Sequence, residues 1–207
     1  SINDIYARKV LAKDNQGFVN ISPSGGMNLE TVDPIYLGKT TPDFTMGWNN
    51  NFTYKNFGLS FLINARFGGV VTSSTQALLD RFGVSKASAD ARDAGGVMIP
   101  NPGLYDAKKY YTLVATGEND LAGYYTYSAT NVRLQELTLS YKFNSKLFNN
   151  VIKDLTLSFV ATNPWMIYCK APFDPELTAS TGTYGQGNDY FMQPSLKSYG
   201  FSVKFKF

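Results

Sequence analysis

The sequence predicts an all-β fold: an antiparallel transmembrane β-barrel segment whose long loops contain short helices. Three observations carry this expectation. Apolar residues alternate with period two in paired runs. The connections between runs are short at one end and long at the other. The composition is also poor in charge and rich in aromatics. Of 207 residues, 17 % are charged and 15 % aromatic, with 14 Tyr, 15 Phe and 2 Trp; a typical soluble domain is roughly 25 % charged. Hydrophobic content is an ordinary 43 % and the net charge is +3, so neither a disordered tail nor a strongly basic nucleic-acid binder fits.

The first pair of runs is the clearest. From Phe44 to Tyr54 one parity reads Phe44, Met46, Trp48, Asn50, Phe52, Tyr54, against Thr45, Gly47, Asn49, Asn51 and Thr53. After Lys55-Asn56, Phe57, Leu59, Phe61, Ile63, Ala65 and Phe67 alternate with Gly58, Ser60, Leu62, Asn64 and Arg66. Two half-buried strands with a two-residue break form a hairpin, here 44–67. A second hairpin is expected over 131–162. Leu137, Leu139, Tyr141 and Phe143 alternate with Thr138, Ser140 and Lys142, and Leu155, Leu157, Phe159 and Ala161 follow the same rule. Val132 and Leu134 lie on the opposite parity, a phase slip near Gln135-Glu136 that a β-bulge produces. A last strand, 196–207, carries Tyr199, Phe201, Val203, Phe205 and Phe207 on one parity.

Between the strands lie a loop region at 1–43, a long loop at 68–130 and another at 163–195. Residues 1–41 are irregular, with a short strand expected at Phe18 to Ile21. Ser74–Phe82 and Ser85–Asp93 read as short helices, with Ser74 and Ser85 as N-caps and Gly83 and Gly95 as stops. Ile99 to Gly103 reads as loop broken by Pro and Gly. The segment Ser1 to Lys13 has no apolar core of a signal peptide, and no stretch approaches the roughly 18 apolar residues of a membrane helix.

Alternation alone fits a soluble β-sandwich equally well. Three features favour the membrane. Aromatics cluster at the short-turn end (Tyr54, Phe57, Tyr141, Phe143, Phe205, Phe207) and again toward the other (Phe44, Phe67, Trp165, Tyr199), as two girdles flanking an apolar band. The opposite face is small and polar. The final strand alternates to its terminal Phe. Short turns at one end with long loops at the other complete the barrel plan, and the strands have the roughly 9 to 11 residues a tilted span needs.

Chemistry is constrained by absence. Without histidine there is no imidazole base and no His-ligated metal, and the single Cys169 forms neither an internal disulfide nor a thiolate zinc cluster. No catalytic, metal or cofactor site is expected. Asp174 and Glu176 are a carboxylate pair and candidates for substrate or partner binding; the bland and favoured reading is a loop whose carboxylates bind backbone amides or an ion. Asp14, Gln16 and Asn20 around Gly17 lack the acidic spacing of a calcium loop. The loop tyrosines Tyr105, Tyr110, Tyr111, Tyr124, Tyr125, Tyr127, Tyr184 and Tyr190 suit sugar, peptide or partner binding; packing of the loops is the competing and favoured reading. Arg66, Arg133 and Glu136 are expected to point into a lumen.

The run YLGKTTPDFTMGWNNNFTYKNFGLSFLINARFGG (Tyr36 to Gly69) resembles the SusC/RagA-type TonB-dependent outer-membrane transporters. So do ALLDRFG (Ala77 to Gly83), ARDAGGV (Ala91 to Val97), NVRLQELTLSY (Asn131 to Tyr141), APFDPE (Ala171 to Glu176) and YGFSVKFKF (Tyr199 to Phe207). DNQGFVN (Asp14 to Asn20) departs from the fuller acidic loop common in that family. The resemblance implies a longer protein with an N-terminal plug inside a barrel of about 22 strands, this chain supplying about the last five. It implies import of glycans or peptides across the cell outer membrane, driven by TonB through the N-terminal region, with a SusD-like surface lipoprotein as partner. It also implies that Tyr199, Phe201, Val203, Phe205 and Phe207 form the signal read by the barrel-assembly machinery. A passive porin or a soluble β-sandwich glycan-binding module would share the strands. An outer-membrane enzyme is the weakest class.

Overall fold

The computed structural model describes residues 4–7, 35–99, 103–115, 121–144, 154–176 and 186–206. They fall into two compact units, each interleaved along the chain. The expected strand at Phe18 to Ile21 and the loop Asp14 to Asn20 lie outside the described residues.

The first unit (Pro42–Gly68, Ala129–Pro175, Gln193–Phe207) is a five-stranded antiparallel sheet. Its strands are β1 (Phe44–Tyr54), β2 (Phe57–Phe67), β3 (Asn131–Phe143), β4 (Asp154–Cys169) and β5 (Ser198–Lys206). The spatial order is β5-β4-β3-β2-β1. Directly paired residues in an antiparallel ladder share a face, so register decides which side chains line up. Phe52, Leu59, Leu139, Phe159 and Phe201 form one row, and Phe61, Leu137, Ala161 and Tyr199 the next. The other face carries the row Thr53, Gly58, Ser140, Ser158 and Ser202. One face is thus almost wholly apolar and the other small and polar.

Local features explain the strand ends. Lys55 adopts φ 52° in the two-residue turn, and Asn56 closes it against β3: Lys142 N–H donates to Asn56 O (2.8 Å) and Asn56 Nδ2 donates to Lys142 O (2.5 Å). Gly68 terminates β2 at φ +77°, and a Cβ there would collide with the Asp43 carboxylate, so glycine is required twice over. Gln135 is the extra residue of a bulge: Glu136 pairs with Leu62 and Leu134 with Ile63.

β4 continues to Cys169, past the expected boundary at Thr162. The reason is a register break. Thr162 pairs with Glu136 but the next pair is Trp165 with Leu134, so Asn163 (φ 49°) and Pro164 bulge out opposite Gln135. A proline lacking its N–H is tolerated in a strand at such a bulge, which is why the alternation stops while the strand does not.

The second unit (Ser1–Thr41, Gly69–Ser128, Glu176–Met192) is mixed. Its helices are α1 (Ser74–Arg81), α2 (Lys86–Asp93) and α3 (Ala107–Ala115). Short strands frame them. Asp4–Ala7 pairs with Ile35–Lys39, Val97–Ile99 with Gly103–Tyr105, and Val70–Ser73 lies between Thr126–Ser128 and Asn188–Asp189. The N-cap of α1 is Ser73, whose hydroxyl accepts from Gln76 N–H, rather than Ser74. Ser85 caps α2 in the same way. Gly83 and Gly95 follow the C-caps with φ 70° and 79°, the left-handed exit that glycine supplies without strain. Helix α3 and the hairpin at 97–105 were not anticipated. No described helix is long and apolar enough to cross a membrane.

Candidate functional site

In the sheet unit the cationic and acidic residues occupy the polar face. Arg66 pairs with Asn131, Arg133 with Asn64 and Glu136 with Leu62; the alternating partners 62, 64 and 66 put all three on one side. Arg133 is buried and donates from Nη2 to Asp174 Oδ1 (2.6 Å) and from Nη1 to Ser195 Oγ (3.2 Å). The two charged side chains are only 7 % and 8 % exposed. Asp174, one of the candidate binding carboxylates, neutralises Arg133 and ties the segment after β4 to β3. A buried pair of this kind is costly to break from one side, because the remaining charge is stranded. Glu176 lies close by in the chain, at the edge of the described residues.

The opposite face is bare. Phe44, Met46, Trp48, Phe52, Phe57, Trp165, Tyr199, Phe201, Val203 and Phe205 all exceed half exposure. Contiguous apolar surface on that scale marks a region covered by something other than water. Its ends are aromatic. Phe44 stacks on Phe67 (4.7 Å) at one end, and Phe57, Tyr141 and Phe143 contact in series (4.7 and 4.8 Å) at the other. Tyr199, Phe201, Val203 and Phe205 alternate along β5 on this face; Phe207 lies outside the described residues.

In the second unit the tyrosines build a core. Tyr110, Tyr111 and Tyr125 are buried together with Val97, Ile99, Ala107 and Val114, and Tyr105, Tyr124 and Tyr127 pack against them. Tyr125 Oη donates to the buried carboxylate of Asp80 (3.1 Å), whose other oxygen accepts from Gln76 Nε2 (2.7 Å). Burial, reinforced by neighbouring phenols and by Asp80, pushes the Tyr111 hydroxyl up to about 12 and raises those of Tyr124 and Tyr125 further. Burial also raises Tyr127, with Asp80 adding to it. The phenols therefore stay protonated at neutral pH, and Tyr125 acts as a donor to Asp80. Tyr110, Tyr111 and Tyr125 thus follow the packing reading of the loop tyrosines.

Tyr190 is the exception at 54 % exposure, beside Phe191 at 58 %, the rings edge to face at 5.4 Å. Phe191 is held at φ 50°, strained for a residue with a Cβ, and its N–H donates to Thr75 Oγ1 (2.6 Å). Ser73 Oγ donates to Asp189 Oδ2 (2.7 Å), and Thr72 N–H to Gly187 O (2.7 Å). The start of α1 thus fixes segment 187–191 and the aromatic pair it presents. Tyr184 lies outside the described residues.

No family model matches the chain. Two curated relatives from Formosa agariphila do. TonB-dependent receptor P39 is 29 % identical over 198 residues, 92 % of this chain. TonB-dependent receptor P3 is 25 % identical over 194 residues, 88 % of this chain. The chain spans 18 % of the length of each. Among solved structures, the RagAB peptide importer in its open-open state superposes with TM-score 0.65 at 16 % identity, over 98 % of this chain and 22 % of that one. Its closed-closed state gives 0.62 at 14 %, over 98 % and 24 %. In sequence the chain resembles the TonB-dependent receptors, and its fold matches that of the RagAB structures.

Sequence reasoning missed Asp80, Gln76 and Thr75. Asp80 and Thr75 act through contacts distant in sequence, with Tyr125 and Phe191, and the only local hint was the helical spacing of Gln76 and Asp80 on α1. Arg133 was visible as a charge in a strand. Its partner was visible too, but the pairing spans 41 residues and has no local signature.

Proposed function

We propose that this receptor segment is a wall element of an energy-dependent outer-membrane importer of glycans or peptides. The five strands belong to a closed barrel of about 22 strands, with the aromatic face toward lipid and the face bearing Arg66, Arg133 and Glu136 toward the lumen. The segments 68–130 and 163–195 are extracellular, where the helical unit and the Tyr190–Phe191 pair border substrate or a SusD-like lipoprotein. The terminal alternation Tyr199, Phe201, Val203, Phe205, Phe207 serves the assembly machinery.

The observation that carries this reading is the continuous apolar face of β1 to β5, bounded by aromatics at both ends. An open sheet leaves edge strands unpaired in lipid, so the reading requires further strands of the same protein. Transport energy enters through TonB, and no chemistry is asked of these residues.

Uptake by cells carrying the full-length receptor tests it. Uptake of labelled oligosaccharides or peptides should stop when a protonophore collapses the proton-motive force. Undiminished uptake would replace the importer with a passive porin. Co-purification of a surface lipoprotein, lost on Tyr190→Ala with Phe191→Ala, would support the partner assignment; retention would remove that pair from the interface.

A further inference from the structure

Helices α1, α2 and α3 enclose a pocket of about 430 Å³, within the range of small-ligand sites. We propose that it is a subsite for a carboxylate-bearing unit of the substrate, the size of one acidic amino acid or one uronic acid residue; this rests on the importer reading. Its wall carries three cations, Arg81 and Arg92 from the ends of α1 and α2 and Lys108 from the start of α3. Among the described residues neither Arg81 nor Lys108 has a carboxylate partner. The one carboxylate in the wall, Asp80, is 4 % exposed and already accepts hydrogen bonds from Gln76 and Tyr125. Asp90 of α2 lies near enough to act on the Tyr111 phenol, and it is paired with Lys86 across one turn. The pocket therefore presents unbalanced positive charge around a floor of Ser88 and Tyr111, both under 5 % exposed.

Arg92 is held in place. Its Nη1 donates to the Gly83 carbonyl, and a Cβ on Gly83 would lie 2.6 Å from that nitrogen. Gly83 thus serves the turn and also seats the guanidinium, which reduces the conformational entropy a ligand must remove. A fixed guanidinium beside two further cations is suited to a planar, two-oxygen anion. Neutral ligands would leave three like charges crowded without relief.

The test uses the full-length receptor in detergent and calorimetric titration, without energised transport. Two matched pairs serve as probes: a tetrapeptide with two glutamates against its two-glutamine counterpart, and a disaccharide ending in glucuronate against its glucose counterpart. The acidic member of one pair should bind more tightly than its neutral match, and which pair shows this identifies the source. A charge-assisted hydrogen bond lost at a cation corresponds to about tenfold in affinity. Arg81→Gln with Lys108→Gln should therefore abolish the preference, while Lys86→Gln, outside the pocket, should leave it intact. Gly83→Ala should weaken acid binding through Arg92. Equal binding of acidic and neutral probes, no binding of either acid, or a preference that survives the double substitution would each overturn the subsite. Failure of protonophore-sensitive uptake with acid binding intact would instead overturn the importer reading.

Discussion

The two units bury opposite things. The helical unit closes on itself: Tyr110, Val114, Val97 and Ile99 are each at most 2 % exposed, and its polar groups hydrogen-bond inside. The sheet unit turns its largest side chains outward, with Phe201 at 78 % and Tyr54 at 71 % exposed, while its most buried members are Ala129, Asn131, Ala161, Ala65 and Arg133. A soluble sheet would do the reverse. The difference teaches where each obtains its stability. The helical unit has a conventional core, whereas the sheet requires an apolar surrounding on one face and polar satisfaction on the other.

The largest expected effect lies on the polar face. Asp174→Ala leaves Arg133 buried without its counter-charge, at a cost of about 3–5 kcal/mol. Hydrogen exchange at the amides 171–176 of the full-length receptor should accelerate by two or more orders of magnitude. Replacing both partners by Met should recover most of the protection. Unchanged exchange in Asp174→Ala would show that water reaches the pair.

Next is a matched pair of charge insertions. Leu139→Arg puts a guanidinium in an apolar row between Leu59 and Phe159. If lipid covers this face the cost is about 2–4 kcal/mol near the bilayer midplane, and the level of assembled receptor in the outer membrane should fall several-fold. Val84→Arg, at a residue 68 % exposed in the helical unit, should change stability by no more than about 0.5 kcal/mol. Equal tolerance at both positions would remove the contrast between the units.

How much of this was legible follows from where the information sits. Strand alternation is local: Phe44 to Phe67 displays its pairing because one parity is apolar except at Asn50 and the other small or polar except at Leu62. The Gln135 bulge was legible as a parity slip. The extension of β4 was not, because Asn163-Pro164 interrupts the alternation at the point where the strand bulges. Helix α3, AKKYYTLVA, hid behind its Tyr110-Tyr111 pair and β-branched Thr112 and Val114, which have weak helix preference. Its tyrosines read as loop aromatics because their partners, Tyr124, Tyr125 and Asp80, come from elsewhere in the chain. Exposure, which separates Tyr190 from Tyr110, is not a property of local sequence.

Within the helical core a smaller effect is expected from Tyr125→Phe. It removes one donor from Asp80 without opening a cavity, leaving a buried carboxylate oxygen short of a partner. The cost is about 1–3 kcal/mol. Protease cleavage within 74–93 of the native protein should rise, while protection of the five-stranded sheet is unchanged. If that protection falls in parallel, the two units do not fold as separately as their cores imply.

The gentlest perturbation is alkaline pH. A tyrosine in an unfolded chain ionises near pH 10, whereas the folded unit holds Tyr111 protonated to about 12. Between those values the unfolded form has released a proton that the folded form keeps, so raising pH favours opening; below about 10 both forms are protonated and the balance does not move. The helical unit should therefore open progressively from about pH 10 upward, seen as tyrosinate absorbance appearing together with new protease sites in 74–115. Tyr111→Phe removes one of the linked protons and should shift that opening to higher pH. The sheet should keep its strands across the same range, since its stability does not depend on this phenol cluster. Ionisation of the cluster near 10 with the helices intact would mean that water already reaches these rings, and the contrast between a sealed unit and an outward-facing one would fail there.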